Sequence, residues 1–265
     1  MNFFKQGNPS GLFSWQHLLI CAIAWAVLLF FAIFFGVKDR KKGKDALYKN
    51  KFLLIVTILM WAGELSKYIV IITTRGWGDM RQILPFFLCN LQLYTLPLLL
   101  VSKGNFKKAM ADLTFAFGLI GAVGGTFICT EFMYNYAFSF YPLSSVFTHT
   151  MAGMASLYIG VANLFTLNKD TIKWTVPIMF AYSGIAWIVA LITKFNYMFL
   201  LFSDGTPFEI LYQLFNGNRI LYPLSVIILQ ICVLLLFYLV AFIVRKCIAK
   251  RKNKNTPSKE QSTNQ

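Results

Sequence analysis

Seven long apolar runs constrain this chain more than any other feature of its sequence. Each run approaches the roughly 20 residues that an α-helix needs to cross a bilayer. Hydrophobic residues make up 57% of the chain and charged residues 13%, whereas a soluble domain has about 25% charged residues. We therefore predict an all-α membrane protein, a bundle of seven transmembrane helices. The predicted spans are about 14–37, 52–73, 80–101, 108–128, 143–165, 174–193 and 220–244.

The seven runs occupy residues 1–244, which we predict to be a single transmembrane domain. The first run is too long for the core of a signal peptide and lacks a small-residue cleavage site, so we expect it to remain as the first span. Residues 245–265 are polar and basic. This composition predicts a disordered tail.

The lysines and arginines between the spans predict the orientation of the bundle, because positive residues are concentrated in cytoplasmic loops. With the N-terminus outside, the inner segments carry 19 of the 25 Lys and Arg residues, and the outer segments carry five. This asymmetry predicts an outside N-terminus and a cytoplasmic C-terminus. The inner segments are 38–51, 102–108, 166–173 and the tail from 245 onward.

The formal net charge of +15 would suggest nucleic-acid binding in a soluble protein. Here the basic residues lie in loops and in the tail, where they orient helices and contact anionic lipid. We therefore expect anionic lipid, and no nucleic acid, as the partner of the tail. The five cysteines are an odd number without a CxxC pair, and there are only two histidines. This pattern predicts neither a disulfide framework nor a metal site, and no cofactor is expected.

The stretch 84–97 combines an apolar run with a thiol, two carboxamides, a phenol, a threonine and two prolines. Hydrocarbon penalises unpaired polar groups, so this stretch should face the bundle interior. At 1.5 Å per residue, Glu64, Lys67, Cys89 and His149 all lie about 9–15 Å below the outer ends of their spans. The sequence therefore predicts a polar site in the outer leaflet. Its candidate residues are Glu64, Lys67, Cys89, Asn90, Thr148 and His149.

Cys89 and His149 together suggest nucleophilic catalysis. A thiolate is the nucleophile, and a thiol in apolar surroundings needs a base or a nearby cation to form it. His149 could remove the proton and return it to a leaving group. Lys67 could favour the thiolate, and Asn90 could donate to an oxyanion. The reaction would be acyl transfer or ester hydrolysis on a membrane lipid, because the predicted depth is near the ester bonds of outer-leaflet phospholipids.

Each of these residues also has a structural interpretation. Glu64 and Lys67 are three residues apart and could neutralise each other. A membrane cysteine is usually an inert small hydrophobe, and Asn90 and Thr148 fit interhelical hydrogen bonding. The glycines of the fourth span are typical of close helix packing. The alternative function is a non-catalytic carrier or solute-binding subunit, in which the polar residues bind a small molecule.

Several motifs resemble those of the bacterial YwaF-type integral membrane family. They are the L-P-x-x-x-C run ending at Cys89, the His-containing fifth span around His149, and the Asn196-Tyr197-Met198 run before an Asp-Gly turn. That family is similar to the transmembrane protein 164 family of phospholipid acyltransferases. The resemblance implies that Cys89 accepts the acyl group, that His149 is its base and that Asn196 supports the site. It also implies a multi-pass protein of a bacterial plasma membrane.

Overall fold

The computed structural model describes residues 3–4, 8–43, 46 and 50–254, except for the side chains of residues 80, 82 and 249–254. The described residues form helices and no β-strand. The α-helices are α1 (Trp15–Arg40), α2 (Lys51–Arg75), α3 (Leu91–Val101), α4 (Gly104–Phe127), α5 (Glu131–Tyr134), α6 (Phe140–Val161), α7 (Lys169–Thr193), α8 (Glu209–Leu214) and α9 (Leu221–Lys254). Three 3₁₀ turns span Trp77–Gln82, Leu88–Asn90 and Tyr197–Phe199.

Five helical segments of the described chain are long and apolar enough to cross a membrane. They correspond to the first, second, fourth, sixth and seventh predicted spans. The two predicted spans outside this set are the third, which contains the short α3, and the fifth, which is α6. The five segments are Trp15–Arg40, Lys51–Arg75, Gly104–Tyr134, Lys169–Thr193 and Leu221–Ile248.

Helix α6 is the centre of the bundle. Its most extensive contacts are with α4 and α1, and it also packs against α2. Hydroxyl groups and the imidazole of His149 lower its apolar character, but most of its residues are buried by the neighbouring helices. Polar side chains are tolerated at membrane depth where protein covers them. Only Gly would fit at position 118 of α4, because a Cβ there would lie 2.8 Å from the Ala152 carbonyl oxygen of α6.

The third predicted span is not the continuous helix that the sequence led us to expect. Its first part consists of 3₁₀ turns and irregular backbone, and α-helix begins only at Leu91. Pro85 lacks an N–H group and disfavours helical backbone at the residue before it. The hydroxyl of Tyr182 donates to the carbonyls of Phe87 at 2.8 Å and Pro85 at 3.2 Å. These bonds compensate for helical hydrogen bonds that the break removes.

At the end of the bundle opposite to the Pro85 break, the buried carboxylate of Asp112 on α4 holds the loop after α6. It accepts hydrogen bonds from the backbone N–H groups of Thr166 at 2.6 Å and Leu167 at 2.8 Å, in the loop after α6. Arg245 of α9 donates to the carbonyls of the same two residues. One loop is thereby held by both a carboxylate and a guanidinium. Asn163, at the start of this loop, adopts a positive φ of 56°.

Two further regions complete the fold: the loop before α9 and the C-terminal tail. Tyr197, Met198 and Leu200, in the loop between α7 and α8, are buried, so this part of the loop packs into the bundle. Helix α9 continues ten residues beyond 244, the predicted end of the seventh span, to Lys254. Residues 245–254, which we predicted to be the start of a disordered tail, are therefore helical, and the rest of that predicted tail, 255–265, lies outside the described residues.

Candidate functional site

A small cavity brings together residues from three predicted spans. Its volume is about 10 Å³, near the lower limit for holding one water molecule. Helices α2 and α6 and the start of α3 each contribute to its wall. The lining residues are Met60, Glu64, Cys89, Asn90, Leu93, Thr148 and His149. Five of the seven residues singled out from the sequence therefore share one cavity.

Cys89 lies in the 3₁₀ turn that precedes α3, so its thiol is at a helix N-terminus. The Sγ–H group donates to the Asn90 side-chain oxygen at 3.2 Å. A helix N-terminus carries unsatisfied N–H groups and a partial positive charge, which favour an anion. Burial penalises a thiolate, and the helix N-terminus offsets part of that cost. The break at Pro85 thus gives Cys89 an electrostatic setting that a mid-helix cysteine would lack.

The imidazole of His149 is oriented by its own helix. Its Nδ1 lies 2.7 Å from the carbonyl oxygen of Ser145, one turn earlier in α6. A carbonyl can only accept, so Nδ1 carries a proton and Nε2 is the unprotonated nitrogen of the neutral ring. Nε2 is the atom that could take a proton from the thiol.

Gly125 of α4 makes the space that His149 occupies, and Gly121 lies next to Cys89. A Cβ at Gly125 would lie 1.8 Å from the His149 Cδ2 atom and 2.2 Å from Nε2. A Cβ at Gly121 would lie 3.5 Å from the Cys89 Cβ. Residues four apart on a helix are neighbours on one face, so the two side chains lie over adjacent turns of α4. Sequence reasoning assigned these glycines to helix packing and missed that they accommodate the candidate site.

Glu64 and Lys67 form an ion pair on α2. The Glu64 side chain is 2% exposed and the Lys67 side chain 19% exposed, so the pair is largely withdrawn from solvent. Their geometry therefore agrees with the structural interpretation, in which the two side chains neutralise each other. One Glu64 oxygen, Oε1, is buried and has no hydrogen-bond partner among the described residues. Glu64 thus both holds Lys67 beside the site and presents an unsatisfied oxygen.

Two predicted supporting residues have other contacts. The Thr148 hydroxyl donates to the carbonyls of Ser144 and Ser145 within its own helix, rather than across helices. Asn196 is not among the residues that line the cavity. Its side chain bonds the backbone of Phe202 at 2.7 Å and stabilises its own loop. The sequence motif around Asn196 therefore marks a turn, and the structure does not bring that residue to Cys89.

Gln92 supports the site in a way that sequence reasoning did not identify. Its side chain is fully buried. In the amide orientation that pairs both ends, Gln92 donates to the Cys89 carbonyl at 2.5 Å and accepts from the Gly118 N–H at 2.9 Å. It thereby ties the turn carrying Cys89 to α4. The ring of Phe87, two residues before Cys89, packs against Phe195 and Tyr197 and does not line the cavity.

The described part of the chain contains no cluster of three or more His, Cys, Asp or Glu side chains that could hold a metal ion. The cavity presents a thiol, an imidazole, a carboxylate and a carboxamide. Lys67 adds a cation through its ion pair with Glu64.

Comparison with known proteins identifies the family of the chain. Neither a curated protein nor a solved structure matches it. The sequence model of the TMEM164 family matches residues 12–244, which contain every predicted span and the whole cavity. The match does not separate a YwaF-type branch from the rest of the family. Because the match covers most of its length, the chain belongs to the TMEM164 family.

Proposed function

We propose that this protein is a seven-span membrane enzyme that transfers an acyl chain from a phospholipid through Cys89 and His149. The observation that carries the proposal is the shared cavity of a thiol at a helix N-terminus and an imidazole whose Nε2 can accept a proton. In this topology the N-terminus is outside, and the broken third segment and α6 supply the two additional spans. The membrane would be the plasma membrane of a bacterium.

Two features support that topology. Helix α6 has 22 residues and is therefore about 33 Å long, enough for a bilayer core. The irregular backbone before α3 packs against other parts of the protein, where non-helical backbone is tolerated at membrane depth. The cavity then lies in the outer half of the bilayer, as the positions of the lysines and arginines predict.

The first half-reaction would acylate the cysteine. His149 Nε2 takes the proton of the Cys89 thiol, and the thiolate attacks the carbonyl carbon of a phospholipid ester. The C–S bond forms, and the tetrahedral oxyanion accepts hydrogen bonds from the Asn90 amide and from N–H groups at the helix N-terminus. The intermediate collapses as the ester C–O bond breaks. The imidazolium then returns its proton to the departing lipid oxygen, which leaves a lysophospholipid and S-acylated Cys89.

The second half-reaction would release the acyl chain. The hydroxyl of an acceptor lipid gives its proton to Nε2 and attacks the thioester carbonyl. The C–S bond breaks, the new ester forms, and the thiolate regains the proton from the imidazolium. Water in place of the acceptor lipid would make the protein a lipid hydrolase. Lys67, held by Glu64, would stabilise the thiolate in both steps.

Access to Cys89 requires movement of side chains. The cavity has room for about one water molecule, so a phospholipid ester reaches Sγ only when Met60 and Leu93 move aside. Both are almost completely buried. Methionine has three rotatable bonds and adapts its shape readily, which makes Met60 the better candidate for a movable wall.

The test is mass spectrometry of the peptide containing Cys89 after the purified protein is incubated in liposomes with acyl-labelled phospholipid. We expect the label on Cys89, no label in Cys89→Ala, and transfer reduced at least about 100-fold in His149→Ala, because general base catalysis contributes about 10²–10⁴-fold. Cys21→Ala removes a different buried thiol and should transfer label normally. Equal labelling of the wild-type and His149→Ala proteins would refute the proposal.

The alternative is a solute-binding function for the same residues, and Glu64 is the observation that favours it. Its Oε1 is a buried acceptor beside the cavity without a partner among the described residues. A carrier would bind a small polar solute there when the cavity opens. Solute-dependent protection of the wild-type thiol, together with unimpaired function in Cys89→Ala, would favour the carrier over the enzyme.

A further inference from the structure

A groove much larger than the cavity lies between α1, α2 and α6. Its volume is about 900 Å³, within the range of ligand-binding pockets. It follows the last turns of α1 and the first turns of α2, at the end of the bundle where α2 begins. Its lining residues are Val27, Phe31, Phe35, Lys38, Asp39, Lys42, Ala46, Asn50, Lys51, Phe52, Ile55, Val56, Leu59, Met151 and Met154.

The groove is apolar along its length and basic at its mouth. Along α2 the wall runs from Lys51 to Leu59, a rise of about 12 Å, and its side chains between these ends are aliphatic or aromatic. Among the described residues, the mouth has the lysines Lys38, Lys42 and Lys51 and one carboxylate, Asp39. A long apolar slot that ends in several cations matches an amphiphile with an anionic head.

The carboxylate of Asp39 has its own hydrogen-bond partners. Asp39 accepts hydrogen bonds from Lys42 Nζ at 2.6 Å and from the Tyr158 hydroxyl at 2.8 Å. The Asn50 amide in turn donates to the Tyr158 oxygen at 2.5 Å. This network offsets the charge of Lys42, so Lys38 and Lys51 supply the positive potential of the mouth. Both of these lysine side chains are exposed.

We propose that this groove binds an anionic phospholipid, with an acyl chain along α2 and its phosphate between Lys38 and Lys51. Charge complementarity selects the head, and the exposed apolar walls at Phe31, Ile55 and Leu59 select the chain. Each basic residue near a membrane surface contributes about fivefold to the affinity for anionic lipid. The lipid would fill the space between α1 and α2, where the two helices face each other across the groove.

This site is separate from the chemistry proposed at Cys89. Glu64 lies 13 residues after Lys51 on the same helix, which is a rise of about 20 Å. A phospholipid with its phosphate at the mouth therefore keeps its ester bonds at the far end of the groove from Cys89. The proposed lipid is a bound partner of the fold rather than the acyl donor, and the proposal does not depend on catalysis.

The experiment measures binding of two fluorescent lipids to the purified full-length chain in detergent micelles. One is phosphatidylglycerol and the other phosphatidylcholine, each with the same fluorophore on one acyl chain. We expect tighter binding of phosphatidylglycerol. In the double variant Lys38→Gln/Lys51→Gln, the affinity for phosphatidylglycerol should fall about 25-fold, while that for phosphatidylcholine changes less than about twofold.

The matched control is Lys169→Gln/Lys173→Gln. These two lysines are exposed and begin α7 at the same end of the bundle, but they do not line the groove. This variant should bind phosphatidylglycerol like the wild type. An equal loss of affinity in the two double variants would show a general surface attraction and overturn the proposal, as would equal wild-type affinity for the two lipids.

A second pair of variants tests the apolar part of the groove. Ile55 and Ile58 are both exposed on α2, but only Ile55 lines the groove. Ile55→Trp should reduce the binding of both lipids at least tenfold, because the indole occupies the space of the acyl chain. Ile58→Trp should leave binding unchanged. Normal binding by an Ile55→Trp protein that elutes as the wild type in size-exclusion chromatography would place the chain elsewhere and refute the assignment.

Discussion

Replacing Gly125 by alanine should displace His149 and leave the rest of α4 intact. The added Cβ would lie 1.8 Å from the His149 Cδ2 atom. The preceding residue offers a matched control, because a Cβ at Gly124 would have no atom within 4 Å. Both substitutions have the same effect on helix propensity, which favours alanine over glycine by about 1 kcal/mol. The two variants therefore differ only in the collision with the imidazole.

The size of the effect follows from this geometry. Ordinary contact begins at 3.4 Å, so the ring must move about 1.6 Å from its position 1.8 Å away. Overfilling a packed interior costs about 1–3 kcal/mol, and Gly125→Ala should therefore be less stable than Gly124→Ala by about that amount. A displacement of 1 Å at a reacting group can cost about 100-fold in rate. Transfer of label to Cys89 should fall by at least that factor.

The assay combines thermal unfolding in detergent with NMR of the histidine rings. The chain has two histidines, so protein labelled with carbon-13 at the ring Cε1 gives two resonances. The His17 Nε2 atom lies 2.8 Å from the Thr126 carbonyl on α4, and its resonance reports whether the α4 backbone has moved. We expect Gly125→Ala to shift the His149 resonance and to leave that of His17 in place.

Two results would refute this reasoning. One is a Gly125→Ala protein with an unshifted His149 resonance and the stability of Gly124→Ala, because the ring would then not lie over Gly125. The other is a shifted His149 resonance with undiminished labelling of Cys89. That outcome would leave the position of the ring correct and remove His149 from the proposed chemistry.

Three further predictions concern other contacts of the bundle. Asp112→Ala leaves the Thr166 and Leu167 N–H groups buried without their acceptor. It should lower the free energy of unfolding by about 2–5 kcal/mol, and Asp112→Asn should lower it less. Thermal unfolding of the two variants measures this difference. Tyr182→Phe removes the hydroxyl hydrogen bonds to the Pro85 and Phe87 carbonyls. It should lower the free energy of unfolding by about 1–2 kcal/mol and increase the rate at which a maleimide labels Cys89. An unchanged labelling rate would contradict the role of Tyr182 in holding that turn. Met60→Ala removes a wall of the cavity. It should likewise speed labelling of Cys89 and lower the free energy of unfolding by about 2–5 kcal/mol. Met179 is also buried but does not line the cavity, so Met179→Ala should lose stability without faster labelling.

Much of the candidate site could be read from the sequence because its residues are unusual for membrane segments. Ionisable and amide groups at membrane depth must face the protein interior, and this rule selected Glu64, Cys89, Asn90 and His149, which line one cavity. The same rule could not tell whether the Thr148 hydroxyl takes part in the site or only donates to carbonyls of its own helix, as it does. Asn196 lies in a loop rather than a span, so the rule did not apply to it.

The third span shows where reasoning from hydropathy alone is insufficient. A run of apolar residues from 80 to 101 predicts a helix of that length, but Pro85 breaks it. Whether the chain ends a helix there or only kinks it depends on partners for the freed carbonyls. The hydroxyl of Tyr182, distant in sequence, supplies them. The consequence for Cys89, its place at a helix N-terminus, was therefore not visible locally.

The sequence was sufficient to predict a helical protein with several apolar, membrane-compatible segments, because hydropathy and length are local properties of the chain. It also determined which polar groups must be sheltered. How they are sheltered depends on tertiary contacts: Gly125 of α4 accommodates the His149 ring, and Gln92 ties the Cys89 turn to α4. Contacts between segments depend on which helix faces meet, and no single segment encodes that choice.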